Sequence, residues 1–381
     1  MLTPIKASTE QILQQIARAD KTPALIIDKE EIRQKYCEFR DKFKGAKICY
    51  ALKANPHPDI VKLLKECGCA FEISSQGELE LLLESKIPPQ EIVSGNPVKD
   101  HAFIKFAYDN GMELFAFDSY AELEKLSQFA PGCKVCVRLS VSNEGSEWPL
   151  SRKFGVEVEE AAHLLLHAEE RGLVPYGISF HVGSQCMEPG SWVKAVEKSR
   201  QVWDAVAKEG LKLHLLNIGG GFPIRYIKPV PSIGEIARLV MSSVEETFPG
   251  DIELIVTPGR ALVGEAGTMV AAVIAKAGRN EEKWLYLNVG VFNGLMETVG
   301  GIKYSFVSAR HKLTYRENND GATRWTLAGP SCDSFDVIAT EVELPEVNIG
   351  DIIYITSAGA YTTSYASHFD GFPIPRTYLV D

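Results

Sequence analysis

The sequence predicts an α/β chain in which a parallel (β/α)8 barrel of the TIM type is followed by a β-rich C-terminal domain. Three observations predict it. Eight apolar, β-branched runs of strand length alternate with amphipathic stretches of helix length. After Arg260 the texture changes to strand-like pieces broken by Gly, Pro, Asn and Asp. At 381 residues the chain is too long for one ordinary domain and suits a barrel with a smaller companion.

The eight runs are KICYALK (47–53), AFEIS (70–74), EIVSG (91–95), LFAFD (114–118), KVCVRL (134–139), YGISFHV (176–182), HLLNIGG (214–220) and IELIVT (252–257). Between them lie helical patterns such as PDIVKLLKEC, VEEAAHLLLHAEERG and IGEIARLVMSSVEETF. Strict alternation of this kind favours a closed parallel barrel over an open doubly wound sheet. The early run TPALIID (22–28) is separated from the eight by KEEIRQKYCEFRDKF and is expected to pair with the later sheet, which contains TMVAAVIAKA, WLYLNV, RWTLAG and DIIYITSAG. The expected division is an N-terminal segment (1–28) that joins the C-terminal β domain, a barrel (29–262) and the β-rich domain (263–381).

With 40 basic against 50 acidic residues, a net charge of −10 and no basic stripe, nucleic acid is not an expected partner. The N-terminus lacks the apolar core of a signal peptide, and no run approaches the ~20 apolar residues of a membrane span. A cytoplasmic location and no membrane partner are expected. Eight cysteines spread along such a chain suit reduced thiols. Cys67-Gly-Cys69 and Cys133-Lys-Val-Cys136 have the look of metal pairs, but one ends a helical pattern and the other lies in a strand-like run, so burial is preferred and no metal is expected. His163 and His167 share a helix face without the glutamate of a zinc-protease helix and read as solvated.

Barrel active sites lie at the C-terminal ends of the strands. Those ends carry Lys53, Glu72, Arg138, His181, Gly219-Gly220-Gly221 and Thr257, the last followed by Pro258, Gly259 and Arg260. A lysine in the apolar run KICYALK would be costly to bury as a cation, and burial favours the neutral amine that forms Schiff bases. A snorkelling lysine is the plainer alternative. Three glycines after a strand let backbone N–H groups approach an anion, with a following helix terminus adding its dipole; a tight turn is the competing reading. Arg260 supplies a cation on the next loop, where barrels commonly hold phosphate. His181 could be a satisfied core histidine or a ring stacked on a flat cofactor. Lysine, phosphate cradle and stacking ring together describe pyridoxal 5′-phosphate (PLP).

The motifs YALKANPHPDIVKLL, FEISSQGELELLL, WPLSRKFGV, ISFHVGSQ, NIGGGFP, PGRALVGEAG, GPSCDSFDVI and GAYTTSYASHFDGF, from about TPALIID to GFPIP, resemble the fold-type III PLP decarboxylases. That group acts on ornithine, lysine, arginine and diaminopimelate, and its barrel is alanine-racemase-like. The resemblance implies decarboxylation of an α-amino acid to an amine and CO2, in polyamine or specialised secondary metabolism. It implies Lys53 as the Schiff-base lysine and His181 as the ring against the pyridine. Ser184, Gly219, Gly220, Gly221, Gly259, Arg260 and Tyr361 would surround the phosphate, with Glu72 and Arg138 in support. Cys332 and Asp333 would enter from the second subunit of a homodimer with shared sites, Asp333 facing substrate and Cys332 reprotonating the α-carbon. SNEGSEWPLSRK (142–153) looks like a mobile covering loop.

Two positions depart from the family pattern. Where the family has a glutamate for the pyridine nitrogen, before Pro-Gly-Arg, this chain has Thr257. Where relatives acting on diamino acids carry an acid for the distal ammonium, this chain has Gly300-Gly301, so either Glu297, Asp336 or Asp333 takes that task or the substrate has no distal amine. Two other readings share the fold: a racemase or epimerase, which would place a tyrosine where Cys332 stands, and a decarboxylase-like regulator without cofactor, as the antizyme inhibitors are.

Overall fold

The computed structural model describes residues 21–150, 152–248, 250, 252–309 and 323–381, so the 1–28 segment is described only from Lys21 onward. It divides into two compact units. One comprises Arg33–Pro223 and Val230–Gly259; the other comprises residues up to Ile32, Ile224–Pro229 and Arg260–Asp381. The first strand, β1 (Ala24–Asp28), belongs to the second unit.

The first unit is the barrel. Strands β2 (Lys47–Ala51), β3 (Ala70–Ile73), β4 (Ile92–Ser94), β5 (Leu114–Phe117) and β6 (Lys134–Arg138) pair in parallel in that order. A short strand β7 (Ser146–Trp148) then leaves the barrel. β8 (Val174–Ser179) pairs with β6, and β9 (Ser184–Cys186) pairs antiparallel with β7. β10 (Leu215–Asn217) and β11 (Glu253–Val256) close the ring back onto β2. All eight runs read from the sequence contribute a strand to this closed parallel barrel. One interior layer holds Cys49, Ala70, Val93, Cys136, Leu215 and Ile255, with Leu114 and Tyr176 against it, so every strand contributes. Cys49 and Cys136 act there as small apolar side chains, and burial pushes the Cys136 thiol up to about 12.

Several of the helices that follow the strands begin at side-chain caps. Ser75, Asp100, Ser119 and Ser232 accept hydrogen bonds from the N–H groups of Glu78, Phe103, Glu122 and Glu235 at 3.4, 2.7, 3.3 and 3.1 Å. Each cap contributes roughly 1 kcal/mol and fixes a βα turn at the barrel end where the strands terminate. On the outer face His167 pairs with Glu170 at 3.1 Å and Glu124 at 3.6 Å, as a solvated helix face does.

The second unit is an eight-stranded sheet. β12 (Gly267–Arg279) is its long central strand, flanked by β13 (Glu282–Leu287), β14 (Ser305–Ser308), β15 (Thr323–Ala328), β16 (Val337–Leu344) and β17 (Ile352–Thr356) in the order β14-β17-β12-β13-β15-β16. β1 pairs antiparallel with β12 and parallel with β18 (Arg376–Val380). Ala24, Ile26, Val270, Tyr354 and Val380 form a core on one face. Residues 224–229 and 260–262, expected with the barrel, pack with this unit instead: the Arg225 N–H donates to Glu265 at 3.3 Å, the Ser357 hydroxyl donates to the Arg225 carbonyl at 2.9 Å, and Arg260 is paired to Glu297. Among the described residues no helix is long and apolar enough to cross a membrane.

Candidate active site

The C-terminal ends of the barrel strands gather Lys53, Glu72, Arg138, His181, Gly219 to Gly221, Thr257 and Gly259 within one unit. Lys53 differs from the sequence expectation. β2 ends at Ala51, Lys53 occupies a single 3-10 turn (Leu52–Ala54), and its side chain is 47% exposed, with Nζ 3.7 Å from Glu72 Oε1. The Ala51 N–H donates to the Pro258 carbonyl at 3.1 Å, and the chain then turns, the Asn55 N–H closing onto the Leu52 carbonyl at 3.1 Å. Lys53 is therefore presented at the mouth and is not buried in the strand as the apolar run KICYALK suggests.

Glu72 is almost buried on β3, and its place depends on a glycine that sequence reasoning passed over. A Cβ at Gly95, just beyond β4, would stand 2.5 Å from the Glu72 carboxyl carbon, so a larger residue there would push this side chain from its present position. Arg138 ends β6. Burial lowers its pKa, while the carboxylates of Glu72 and Asp118 oppose that shift. Asp118 also accepts from the Gly155 N–H at 2.8 Å. Polarity at a strand end, the rule that found Glu72, would have found Asp118 as well.

β8 ends at Ser179, so His181 lies in the turn beyond the strand. Its Nδ1 accepts from the Gly183 N–H at 3.0 Å. Burial holds its pKa well below the ordinary imidazole value, with the Arg138 and Lys53 charges adding to the effect. The ring is thus neutral with its proton on Nε2, the state suited to lying against a flat ring without adding charge. Ser184 opens β9 opposite Trp148 of β7. The segment read as a mobile cover is tied down at this pairing: Asn143 Nδ2 donates to the His181 carbonyl at 3.3 Å, and the Leu150 N–H donates to Asn143 at 2.6 Å. Ser151, within that segment, lies outside the described residues.

The glycine cradle is close-packed backbone. Gly219 and Gly221 have φ of 69° and 97°, on either side of Gly220. A Cβ on Gly219 would meet the Phe180 carbonyl at 2.1 Å, on Gly220 the Thr257 carbonyl at 2.6 Å, and on Gly221 the Gly183 carbonyl at 2.3 Å. The Gly219 N–H donates to Asn217 Oδ1 at 2.9 Å, whereas the N–H groups of Gly220 and Gly221 have no acceptor among the described residues. Alternating backbone with donors to spare is an anion nest. It works without the helix dipole expected from sequence, because the next helix starts only at Ile233. Thr257 is buried, its N–H donating to the Gly219 carbonyl at 2.9 Å. A primary amine, a neutral ring and a phosphate nest at one barrel end fit PLP.

The remaining predicted residues belong to the β-rich unit. Arg260 is buried and held bidentately by the buried Glu297, with Nη1–Oε2 and Nη2–Oε1 both at 2.6 Å; it also donates to the Tyr226 hydroxyl at 2.5 Å and lies 4.8 Å from the Tyr361 ring centroid. Burial works against its charge, but Tyr226, Glu297 and Tyr361 outweigh it and hold the pKa above the ordinary value. Tyr361 adopts φ of 54°, an unusual conformation for an aromatic residue and one that recurs at functional sites. Tyr226 gave no sequence signal, since nothing in GFPIRYIKP marks it as a partner of Arg260.

Two of the acids considered for a distal ammonium are committed elsewhere. Glu297 holds Arg260. Asp336 is buried and knots the 329–336 turn, accepting from the Val291 N–H at 2.7 Å, the Ser331 N–H at 3.1 Å and the Ser331 hydroxyl at 2.7 Å. Asp333 is exposed beside the exposed Cys332, and its Oδ1 accepts from the Phe335 N–H at 2.8 Å. Cys332 meets a residue the sequence did not flag, Asp370, whose Oδ2 accepts from its N–H at 3.2 Å and from its thiol at 3.3 Å.

Comparison with known proteins agrees with this chemistry. Residues 29–264 match the family described as pyridoxal-dependent decarboxylase, pyridoxal binding domain. The chain is similar to a lysine/ornithine decarboxylase of Selenomonas ruminantium, 33% identical over 98% of this chain and 93% of the relative. It is also similar to antizyme inhibitor 2 of Xenopus laevis, 31% identical over 95% of this chain and 82% of that protein. Among solved structures, the lysine/ornithine decarboxylase of Vibrio vulnificus complexed with putrescine superposes with a TM-score of 0.90 at 30% identity, covering 99% of both chains. The chain belongs to the pyridoxal-dependent amino-acid decarboxylase family, and its cofactor is PLP.

Proposed function

We propose that the enzyme decarboxylates a basic α-amino acid of the lysine or ornithine class, working in the cytoplasm as a homodimer whose two sites are shared. The observation that carries the substrate class is the fate of the acids. With Glu297 and Asp336 consumed, Asp333 is the carboxylate left to meet a distal ammonium, and it stands next to Cys332. The relatives named for lysine and ornithine support the same class. The cytoplasmic placement is supported by eight cysteines that are all free thiols.

The homodimer reading rests on the surface around Cys332. Phe335 and Phe369 are 53% and 40% exposed, and Phe292 joins them at 6.2 Å from Phe335 and 4.5 Å from Phe369. An exposed aromatic patch beside a reactive side chain marks an interaction surface, and a second copy of the chain is the partner it suits.

Bound PLP supplies an electron sink for the pair released when the carboxylate leaves as CO2. Lys53 provides the amine that holds the cofactor, steered by Glu72. Gly220 and Gly221 would offer N–H groups to the phosphate oxygens. His181, kept neutral, offers a flat face, and Arg138 sustains that neutrality by its charge. Cys332 holds a proton on sulfur for the α-carbon, and Asp333 orients the far end of the substrate. A panel of amino acids scored by the mass of the amine product tests the substrate: cadaverine or putrescine is expected, and turnover only of substrates without a distal cation would contradict the reading.

A further inference from the structure

Cys332 lies in the turn between β15 and β16 that Asp336 knots, and it is the only exposed cysteine in the chain. Against this turn stands a single 3-10 turn, Phe369–Gly371, whose central residue Asp370 has φ of 54°. One oxygen of Asp370 receives both the Cys332 N–H and the Cys332 thiol. Phe292 packs against Phe335 of the first turn and Phe369 of the second, so the two turns share an aromatic support. Aspartate and asparagine tolerate this left-handed backbone better than other non-glycine residues, so a carboxylate can be held there at modest strain.

We propose that Asp370 is a positioning residue for Cys332, orienting the thiol through one shared oxygen and keeping its proton on sulfur until the substrate's α-carbon takes it. The inference rests on the reading of Cys332 as proton donor. In the transfer the S–H bond breaks, a Cα–H bond forms on the electron pair left by the departing CO2, and solvent returns a proton to the thiolate. The hydrogen bond and the charge of Asp370 raise the thiol pKa, and Asp333 adds a second, smaller push in the same direction. A donor must hold its proton at the working pH, and a neighbouring anion secures that.

The test is the pH dependence of Cys332 alkylation by iodoacetamide in the holoenzyme, taken as the difference from Cys332→Ser so that Cys37 and Cys67 do not contribute. Asp370→Asn keeps the backbone conformation and an acceptor oxygen but removes the charge. The expected result is a midpoint moved to lower pH, alkylation several-fold faster at neutral pH, and a fall in kcat with KM little changed. Asp370→Ala should give a shift in the same direction. Alkylation profiles that superimpose on wild type in Asp370→Asn, with circular dichroism unchanged, overturn the proposal. Cys332→Ala with full turnover would instead sink the proton-donor reading, while the alkylation profiles still decide whether Asp370 governs the thiol.

Discussion

The barrel mouth and the Cys332 turn hold their functional groups in different ways. At the mouth each residue is fixed by its own unit: Glu72 in the space Gly95 leaves, His181 by the Gly183 amide, and the glycines by carbonyls that no larger residue could approach. At the Cys332 turn the backbone is equally well tied, through Asp336 and Asp370, yet the side chains that matter are exposed and surrounded by exposed aromatics. The first arrangement suits a cofactor held permanently by one chain. The second suits a group delivered into a site that its own chain does not complete.

Removing Lys53 should break the first region most severely. Lys53→Ala is expected to abolish the visible absorbance of the lysine-bound cofactor and nearly all turnover, since no other amine stands at the end of β2. A variant with that absorbance and wild-type rates would show that the cofactor is anchored elsewhere.

A smaller effect is expected at Thr257, which is buried and bonded to the glycine cradle. Threonine cannot hold a proton on the pyridine nitrogen as a carboxylate does. Thr257→Glu should therefore change the rate of CO2 release severalfold or add transamination products, read by turnover and product mass. If neither changes, another acid already serves the nitrogen, and Glu72 and Asp118, the carboxylates acting on Arg138, become the residues to substitute next.

How much of this was legible depended on whether a residue's role lay in its own strand. Apolar runs bounded by turns located every barrel strand, because a parallel strand covered on both faces must be apolar throughout. Lys53 and His181 were read inside strands but lie in the turns beyond them, where hydrogen bonds to neighbouring loops replace the ladder. Sequence spacing carries no sign of that replacement. The glycine cradle was legible as a triplet, yet its donors come from alternating backbone and not from a helix start. Asp370 was invisible because Asp-Gly reads as an ordinary turn, and its partner is 38 residues away. Glu297 and Asp336 looked available as acids in sequence, whereas burial had already assigned each a partner.

The comparison between the two regions is tested most directly by subunit complementation. Lys53→Ala and Cys332→Ala chains, each inactive alone, are mixed under conditions in which subunits exchange, and turnover is measured. Random pairing places one intact site in half of the dimers if each site draws Lys53 from one chain and Cys332 from the other, so activity should recover to about a quarter of wild type. With exchange verified by mass, no recovery above the separate variants would show that each site is built from a single chain.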